Sequence, residues 1–338
     1  MRVLLYAGYQ KTRFDGRTNK GLAGTEVGII HLAKEMARFG WKVVVSGQVR
    51  DAGMIENVEW ISTENLHQKY FNQFDFIISA SYIHFLKEFN GYDAKKILWA
   101  HNTHHHAWFN GIKLEDADQL VQQVDHTVCL TNWHKQQWSN TYKVPFNKIS
   151  IIGNGIDPSS FTGTPAKVKG KFIFSSAPER GLQELLDNWH KIKEILPHAT
   201  LDVFTPGYSP MGRKYNLHKY DGVVGYETVD QLTLHDAMLR AEYWCYITDY
   251  EETYCITALE MQYAKVLPIV TRVAALGETV NSGIILDRNE TTWQNVVQIL
   301  GSLGTELKEK SIDDAFQWAK KQTWNNRSYE WKTLLESL

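Results

Sequence analysis

The sequence predicts an α/β protein with two Rossmann-like, doubly wound parallel sheets that face a cleft. Its 338 residues exceed one typical domain of about 150 residues. Short apolar runs alternate with longer segments of helical periodicity, which favours parallel sheets covered by helices. The alternation stops and restarts around residues 157–170, a stretch rich in Pro, Gly, Ser and Thr. We therefore expect domains over residues 1–157 and 158–321.

The same pattern places the elements in each half. In the first half we predict strands at residues 2–7, 42–46, 74–80, 96–100, 126–130 and 149–152, with helices at 26–39, ended by Gly40, and at 132–139. In the second half we predict strands at 171–175, 200–204, 222–224, 243–247, 267–271 and 283–286, with helices at 182–195, 228–240, 256–265 and 313–338.

Composition excludes several classes of function. The formal charge of −2, without a Lys/Arg-rich run, gives no footprint for nucleic acid. Three scattered cysteines without C-x-x-C spacing indicate reduced thiols. The apolar N-terminus is too short for a signal peptide, and no run reaches the ~18–20 residues that span a bilayer. We expect a soluble, cytoplasmic protein, and peripheral association with a membrane stays open.

The most informative segment joins a predicted strand to a predicted helix through two carboxylates. Glu252 ends an acidic loop after the strand, and Glu260 lies eight residues later on the helix. A helix start presents backbone N–H groups and the positive end of the dipole, which suit phosphate. Ionised Glu only accepts hydrogen bonds and so suits hydroxyl groups. Together these features describe a site for a nucleotide sugar.

This segment resembles the E-x7-E motif of retaining glycosyltransferases with the GT-B fold, most closely those of glycosyltransferase family 4. The resemblance implies that Glu252 faces the donor sugar and that Glu260 binds the ribose hydroxyls. It also implies that Thr253, Tyr254 and Cys255 supply backbone amides to the sugar and diphosphate. The alternative is an amphipathic helix with solvated acids.

A glycine-rich loop precedes the first long helix. Gly21-Leu-Ala-Gly24-Thr25-Glu26 follows the first strand, and glycines at a helix start let a ligand approach the backbone. The loop lacks the G-x-G-x-x-G pattern, which argues against a dinucleotide site. The family resemblance implies that Gly24 lies near the donor diphosphate, whereas the alternative is a simple turn with Thr25 as N-cap.

A second loop carries a cation. Arg180 precedes Gly181-Leu182 directly after the first strand of the second half, where a cation can offset charge on a leaving diphosphate. Family members usually have an Arg and a Lys in this loop, and Arg180 matches the Lys. The expected Arg falls near Ser175 or Ser176, so the source of a second cation is open. The alternative is that Arg180 caps a helix or pairs with Glu179.

Histidines follow the strand at 96–100. His101 matches by position a family histidine that contacts the donor sugar, and it follows a predicted strand at the edge where α/β sheets bind ligands. A metal site is the rival interpretation, since His104, His105 and His106 come next. Consecutive side chains point in different directions on any regular backbone, which disfavours a shared metal ion. We therefore expect no metal and no cofactor.

Weaker signals complete the resemblance. Asn154-Gly-Ile-Asp157 resembles the end of the first domain in family 4, and Tyr226 follows a strand near the expected base site. The resemblance also implies that the C-terminal helix, at about 322–338, packs back on the first domain.

The expected function is metal-independent, retaining transfer of a sugar from a nucleoside-diphosphate sugar to a glycan or other hydroxyl acceptor. The partners are therefore the donor and the acceptor. Two alternatives stay open, namely a non-catalytic sugar-binding protein and a nucleotide-sugar 2-epimerase of the same fold. The donor base, the sugar, the acceptor and the oligomeric state are not specified by any motif.

Overall fold

The computed structural model describes residues 1–8, 13–103, 119–206 and 215–338. The chain forms two compact units, each with its own sheet. The first unit contains Met1–Thr18, Leu22–Gly155 and Trp324–Leu338, and the second contains Asn19–Gly21 and Ile156–Thr323. The sequence predicts a domain boundary after residue 157. In the structure, the N-terminal part of the first unit ends at Gly155.

The first unit is built on an eight-stranded sheet with the order β3-β4-β2-β1-β5-β6-β7-β8. Its strands are β1 (Arg2–Gly8), β2 (Lys42–Gly47), β3 (Gly53–Ile55), β4 (Val58–Ser62), β5 (Phe76–Ala80), β6 (Lys95–Trp99), β7 (His126–Cys129) and β8 (Ile149–Ile151). The helices are α1 (Gly24–Arg38), α2 (Thr63–Lys69), α3 (Phe85–Glu88) and α4 (Asn132–Tyr142). Neighbouring strands are parallel except for the β3–β4 hairpin.

The second unit is built on a six-stranded, wholly parallel sheet with the order β11-β10-β9-β12-β13-β14. Its strands are β9 (Lys171–Ser175), β10 (Thr200–Phe204), β11 (Val223–Tyr226), β12 (Tyr243–Tyr246), β13 (Leu267–Thr271) and β14 (Ile284–Leu286). The helices are α5 (Leu182–Asp187), α6 (Trp189–Ile195), α7 (Gln231–Arg240), α8 (Ile256–Tyr263), α9 (Leu276–Thr279), α10 (Thr292–Ser302) and α11 (Thr305–Ala319).

The two parallel-sheet α/β units confirm the predicted fold class, but several element predictions were wrong. The helix predicted over 182–195 is divided at Asn188 into α5 and α6. The stretch 313–338 belongs to two helices, α11 and α12 (Trp324–Ser337). The β3–β4 hairpin was not predicted, because Glu56 and Asn57 both adopt positive φ without the Asn-Gly or Asp-Gly signal typical of such a turn.

The C-terminal helix α12 packs within the first unit. Trp331 is fully buried, and its ring meets Trp99 at the end of β6 edge-on at 5.4 Å. Trp324 stacks on His31 of α1 at 5.9 Å. Gly28 of α1 permits this approach, because a Cβ there would lie 3.0 Å from the Trp99 ring. These aromatic contacts fix the last helix against α1 and β6.

Within the described ranges, every helix is either too short or too polar to cross a lipid bilayer.

Candidate functional site

Each sheet reverses its strand order at one position. In the second unit the chain runs from β9 outward to β11, and then from β12 outward to β14. The switch point therefore lies between β9 and β12, and ligands of open α/β sheets bind outside the carboxyl ends of the strands at such a point. The loops that follow these two strands carry Arg180 and Glu252. In the first unit the corresponding point lies between β1 and β5.

Arg180 and Glu252 form an ion pair at the second switch point. The Arg180 Nη1 lies 2.9 Å from Glu252 Oε1, and the Glu252 carboxylate is 8% exposed. The Tyr246 hydroxyl donates to the same oxygen at 2.8 Å. The Arg180 guanidinium also lies over the Tyr250 ring, 4.2 Å from its centre. A cation and a hydrogen-bonded carboxylate are thus held together beside the end of β9.

This network includes a position where the sequence lacks the expected arginine. The Ser176 hydroxyl lies 3.3 Å from the Tyr246 hydroxyl, so Ser176 supports Tyr246 instead of supplying a cation. Burial, together with the nearby Glu252 carboxylate, raises the pKa of Tyr246 well above its usual value. Tyr246 is therefore a neutral donor that helps to orient Glu252.

The start of α8 follows Glu252 directly. Cys255 precedes the helix in the left-handed conformation, with φ of +67°, an uncommon backbone for a residue other than Gly. No side chain within the described residues caps the helix. Burial, and then the charge of Glu252, raise the pKa of the Cys255 thiol well above its usual value. Residues 253–255 therefore form a turn of the backbone between Glu252 and the helix that carries Glu260.

A second arginine holds the acidic loop in place. Arg288, after β14, binds both oxygens of Glu184 at 2.8 Å. The same guanidinium binds Asp249 at 2.8 and 3.0 Å. These two carboxylates raise the pKa of Arg288, and the hydrogen bond from Arg288 lowers that of Asp249. Since Glu184 lies on α5 and Asp249 precedes Glu252, Arg288 joins the two loops of the site.

Glu260 is the second carboxylate of the motif and lies on α8. It is 8% exposed, and its Oε1 lies 3.2 Å from His235 Nε2 of α7. The His235 ring stacks on Phe161 at 4.1 Å with an interplanar angle of 10°. Glu252 and Glu260 are therefore both buried and hydrogen-bonded, which argues against a helix with solvated acids.

His101 lies in the first unit, after β6. Its side chain packs against Trp99 at 4.4 Å, and its backbone N–H donates to the Ser81 hydroxyl at 2.9 Å. Burial, with a contribution from His134, lowers the pKa of His101 to about 3. Burial also lowers the pKa of His134 to about 4. Both imidazoles are therefore uncharged at neutral pH.

The glycine-rich loop begins α1. Gly24 is the first residue of this helix, and Ala23 is its N-cap, so the alternative with Thr25 as N-cap is wrong. The Ala23 N–H donates to the Glu26 side chain at 3.0 Å. Burial raises the pKa of Glu26 above its usual value. Gly24 thus begins the helix that connects β1 to β2.

Tyr226 lies apart from the Arg180–Glu252 pair within the second unit. It ends the edge strand β11, two strands from β9, and stacks on Phe204 at 4.5 Å.

The sequence prediction did not include several residues that shape the site, namely Tyr246, Tyr250, His235 and Arg288. Strand and helix patterns give these residues no distinguishing signal, because their roles depend on tertiary contacts.

No group of three or more potential metal ligands occurs in the part of the chain that the structure describes. His104, His105 and His106 lie outside the described residues.

Comparison with known proteins gives one family match and several structures of the same fold. Residues 22–160 match the model of the family described as Glycosyltransferase Family 4. No curated protein matches the sequence at a significant level. Solved structures nevertheless align over nearly the whole chain. Anabaena HepE in complex with UDP-glucose has a TM-score of 0.73, 13% identity and coverage of 100% of both chains.

Two further structures show the same fold. Sucrose-phosphate synthase from Thermosynechococcus elongatus has a TM-score of 0.75 at 13% identity, over 99% of this chain and 98% of that one. WaaG, a glycosyltransferase involved in lipopolysaccharide biosynthesis, has a TM-score of 0.70 at 12% identity, over 99% of both chains. The match to the family model lies almost entirely within the first unit, and the solved structures share the two-sheet fold over nearly the whole chain. Both findings agree with the resemblance to glycosyltransferases of the GT-B fold found in the sequence.

Proposed function

We propose that this protein is a retaining glycosyltransferase that moves a sugar from a nucleoside-diphosphate sugar to an acceptor hydroxyl without a metal ion. The observation that carries the proposal is the Arg180–Glu252 ion pair, with its Glu252 carboxylate buried and Arg180 partly exposed, at the switch point of the second sheet, beside the start of α8. The complex of Anabaena HepE with UDP-glucose supports a nucleotide-sugar donor for this chain.

The donor diphosphate is assigned to Arg180 and the start of α8. An Arg fork binds phosphate oxygens through charge-assisted hydrogen bonds, and a helix start adds backbone donors and a favourable dipole. The amides of Thr253, Tyr254 and Cys255 lie in the turn between Glu252 and α8. By the family resemblance, Gly24 at the start of α1 would contribute backbone next to the same diphosphate.

The sugar and the nucleoside of the donor are assigned to side chains that accept hydrogen bonds. Glu252 and His101 would orient the sugar hydroxyls, and Glu260 would accept hydrogen bonds from the ribose. A neutral imidazole both donates and accepts, so the lowered pKa of His101 suits an uncharged sugar. Tyr226, exposed at the end of β11, is assigned to the neighbourhood of the base.

The transfer needs no side-chain nucleophile. Glu252 already accepts hydrogen bonds from Arg180 and Tyr246, which stabilise a carboxylate and make it a poor nucleophile. We therefore assign a mechanism in which the leaving phosphate helps to take the proton of the acceptor hydroxyl, and sugar departure and acceptor arrival occur on one face. Arg180 would stabilise the charge that develops on the diphosphate, a role that metal ions fill in other enzymes.

The stereochemistry of the released sugar tests this proposal. We would incubate the protein, in EDTA, with the nucleotide sugars that stabilise it and follow the reaction by proton NMR with water as acceptor. We expect the first free sugar to keep the anomeric configuration of the donor. An inverted anomer would contradict retention, and a converted sugar still linked to its nucleotide would indicate an epimerase. Binding without turnover by the wild-type protein would indicate a sugar-binding protein.

A further inference from the structure

His235 is a buried imidazole that the proposed function does not use. It lies on α7 and is 3% exposed. Its Nε2 lies 3.2 Å from Oε1 of Glu260. An ionised carboxylate only accepts hydrogen bonds, so the Nε2–H donates in this contact.

Aromatic packing fixes the plane of the His235 ring. Phe161 stacks on it at 4.1 Å and 10°, and Phe161 in turn meets Tyr263 edge-on at 4.8 Å. Its other nitrogen, Nδ1, is buried and has no hydrogen-bond partner among the described residues. Glu260 is therefore the one polar partner of this ring in the described chain, and the stack with Phe161 restrains the imidazole from tilting out of its present plane.

The Glu260 carboxylate is held on one side only. Its side chain is 11% exposed, and in the described ranges Oε2 has no protein donor comparable to the His235 contact at Oε1. A flexible carboxylate loses side-chain entropy when it is fixed by a ligand. An oxygen already bound to a rigid ring reduces that cost and sets the direction of the second oxygen.

We propose that His235 is a positioning residue that orients Glu260 toward the hydroxyl groups of the donor ribose. His235 holds Oε1, and Oε2 accepts from the ribose. This inference rests on the proposed function, since it requires a nucleotide at Glu260. It predicts that selectivity for ribose over deoxyribose depends on the Nε2–H donor of His235, and that diphosphate binding does not.

Two substitutions separate the role of the His235 N–H as a hydrogen-bond donor from the packing of its ring on Phe161. His235→Phe keeps an aromatic ring for the stack with Phe161 and removes the N–H donor. His235→Gln keeps an N–H donor and loses the aromatic ring. The probes are UDP, GDP and ADP, each compared with its 2′-deoxy form by isothermal titration calorimetry, with pyrophosphate as a probe that contains no ribose.

For the base that binds, we expect the wild-type protein to prefer the ribose form. His235→Phe should weaken the binding of that form by roughly threefold to tenfold, the loss expected for one hydrogen bond, and leave 2′-deoxy and pyrophosphate binding close to wild type. His235→Gln should restore most of the preference. An unchanged preference in a folded His235→Phe variant would overturn the inference and leave the proposed function intact.

The other possible results also test the role of His235. Equal weakening of all probes, pyrophosphate included, would assign His235 a purely structural role and overturn the inference. A wild-type protein that binds nucleotides without any ribose preference would also overturn it. A wild-type protein that binds no nucleotide would contradict the proposed function itself, which is a result distinct from the others.

Discussion

The two sheets reverse their strand order in the same way, yet the residues at the two switch points differ in chemistry. Between β9 and β12 lie paired charges, with Arg180 bound to Glu252 and Arg288 bound to two further carboxylates. At the carboxyl edge of the first sheet, beside the β1–β5 switch point, the Tyr82 ring packs over Gly8 and its hydroxyl donates to Glu88, and His101 is buried beside Trp99. The shared topology supplies the position of a site, and the side chains decide which ligand it suits.

The difference fits two kinds of ligand. A diphosphate needs cations and backbone donors, which the second unit offers. Sugar hydroxyl groups can bind to donors and acceptors without charge, and burial lowers the pKa of His101 and of His134, which keeps these two imidazoles neutral. If this division is right, substitutions in the second unit should affect nucleotide binding and turnover, and substitutions in the first should leave the nucleotide bound.

The largest effect is expected at Glu252. Glu252→Gln should lower turnover by about 10²–10³-fold, the range seen when one preorganised polar contact in an active site is lost. The affinity for the nucleoside diphosphate should change little, because Glu252 is assigned to the sugar. Steady-state kinetics and calorimetry measure the two quantities. Glu251→Gln, at an exposed neighbouring acid, is the matched control, and wild-type turnover in Glu252→Gln would refute the assignment.

The second-largest effect is expected at Arg180, and its comparison with His101 tests the two units against each other. Arg180→Ala should weaken nucleoside-diphosphate binding by about tenfold to a hundredfold, the value of a charged hydrogen bond. Arg180→Lys should recover much of the loss, since a Lys keeps the charge although not the fork. His101→Ala should leave the affinity for the same nucleotide unchanged. A stronger loss in His101→Ala than in Arg180→Ala would reverse the proposed division between the units.

The neutral histidines predict a pH dependence of stability. The pKa values of His101 and His134, about 3 and about 4, lie below the unfolded value of about 6.5. Between pH 4 and 6.5 the unfolded chain binds more protons, so stability falls as pH falls, by about 1.4 kcal/mol per pH unit for each histidine. Urea denaturation at several pH values measures this slope. His101→Gln should reduce it, and an identical slope would show that His101 is not buried as a neutral ring.

The smallest effect is expected at Arg288, which supports the site without touching a ligand in this account. Arg288→Lys cannot bind Glu184 and Asp249 with one planar fork. Because the pair is partly exposed, the loss of stability should be only about 1 kcal/mol. Urea denaturation checks the value, and nucleotide affinity should fall by less than in Arg180→Ala. A loss as large as that of Arg180→Ala would assign Arg288 to the ligand.

The sequence predicts the sheets better than it predicts the site. Apolar runs such as Lys171–Ser175 are strands because burial on both faces demands continuous hydrophobicity. The Glu252 and Glu260 pair is also visible, because eight residues across a helix start form a recognisable spacing. The division of 182–195 at Asn188 was not predicted, since no Gly or Pro marks it.

The hydrogen bonds that support the site cannot be predicted from periodicity along the sequence. Tyr246 reads as one more buried strand residue, yet its hydroxyl donates to Glu252. His235 reads as an ordinary residue of an amphipathic helix, yet its ring contacts Glu260. Arg288 lies about a hundred residues from its partner Glu184. These contacts depend on how strands and helices meet in space, which periodicity along the chain does not encode.

The central claim is that the switch point between β9 and β12 binds a nucleotide-sugar donor. Thermal denaturation with UDP-, GDP-, ADP- and dTDP-sugars, with and without EDTA, tests it most directly. A ligand at 100 times its dissociation constant stabilises a fold by about 2.7 kcal/mol. We predict that sugars of one base raise the melting temperature of the wild-type protein irrespective of EDTA, and that Arg180→Ala loses most of the shift. A wild-type protein that no nucleotide sugar stabilises, or an equal shift in Arg180→Ala, would contradict the claim.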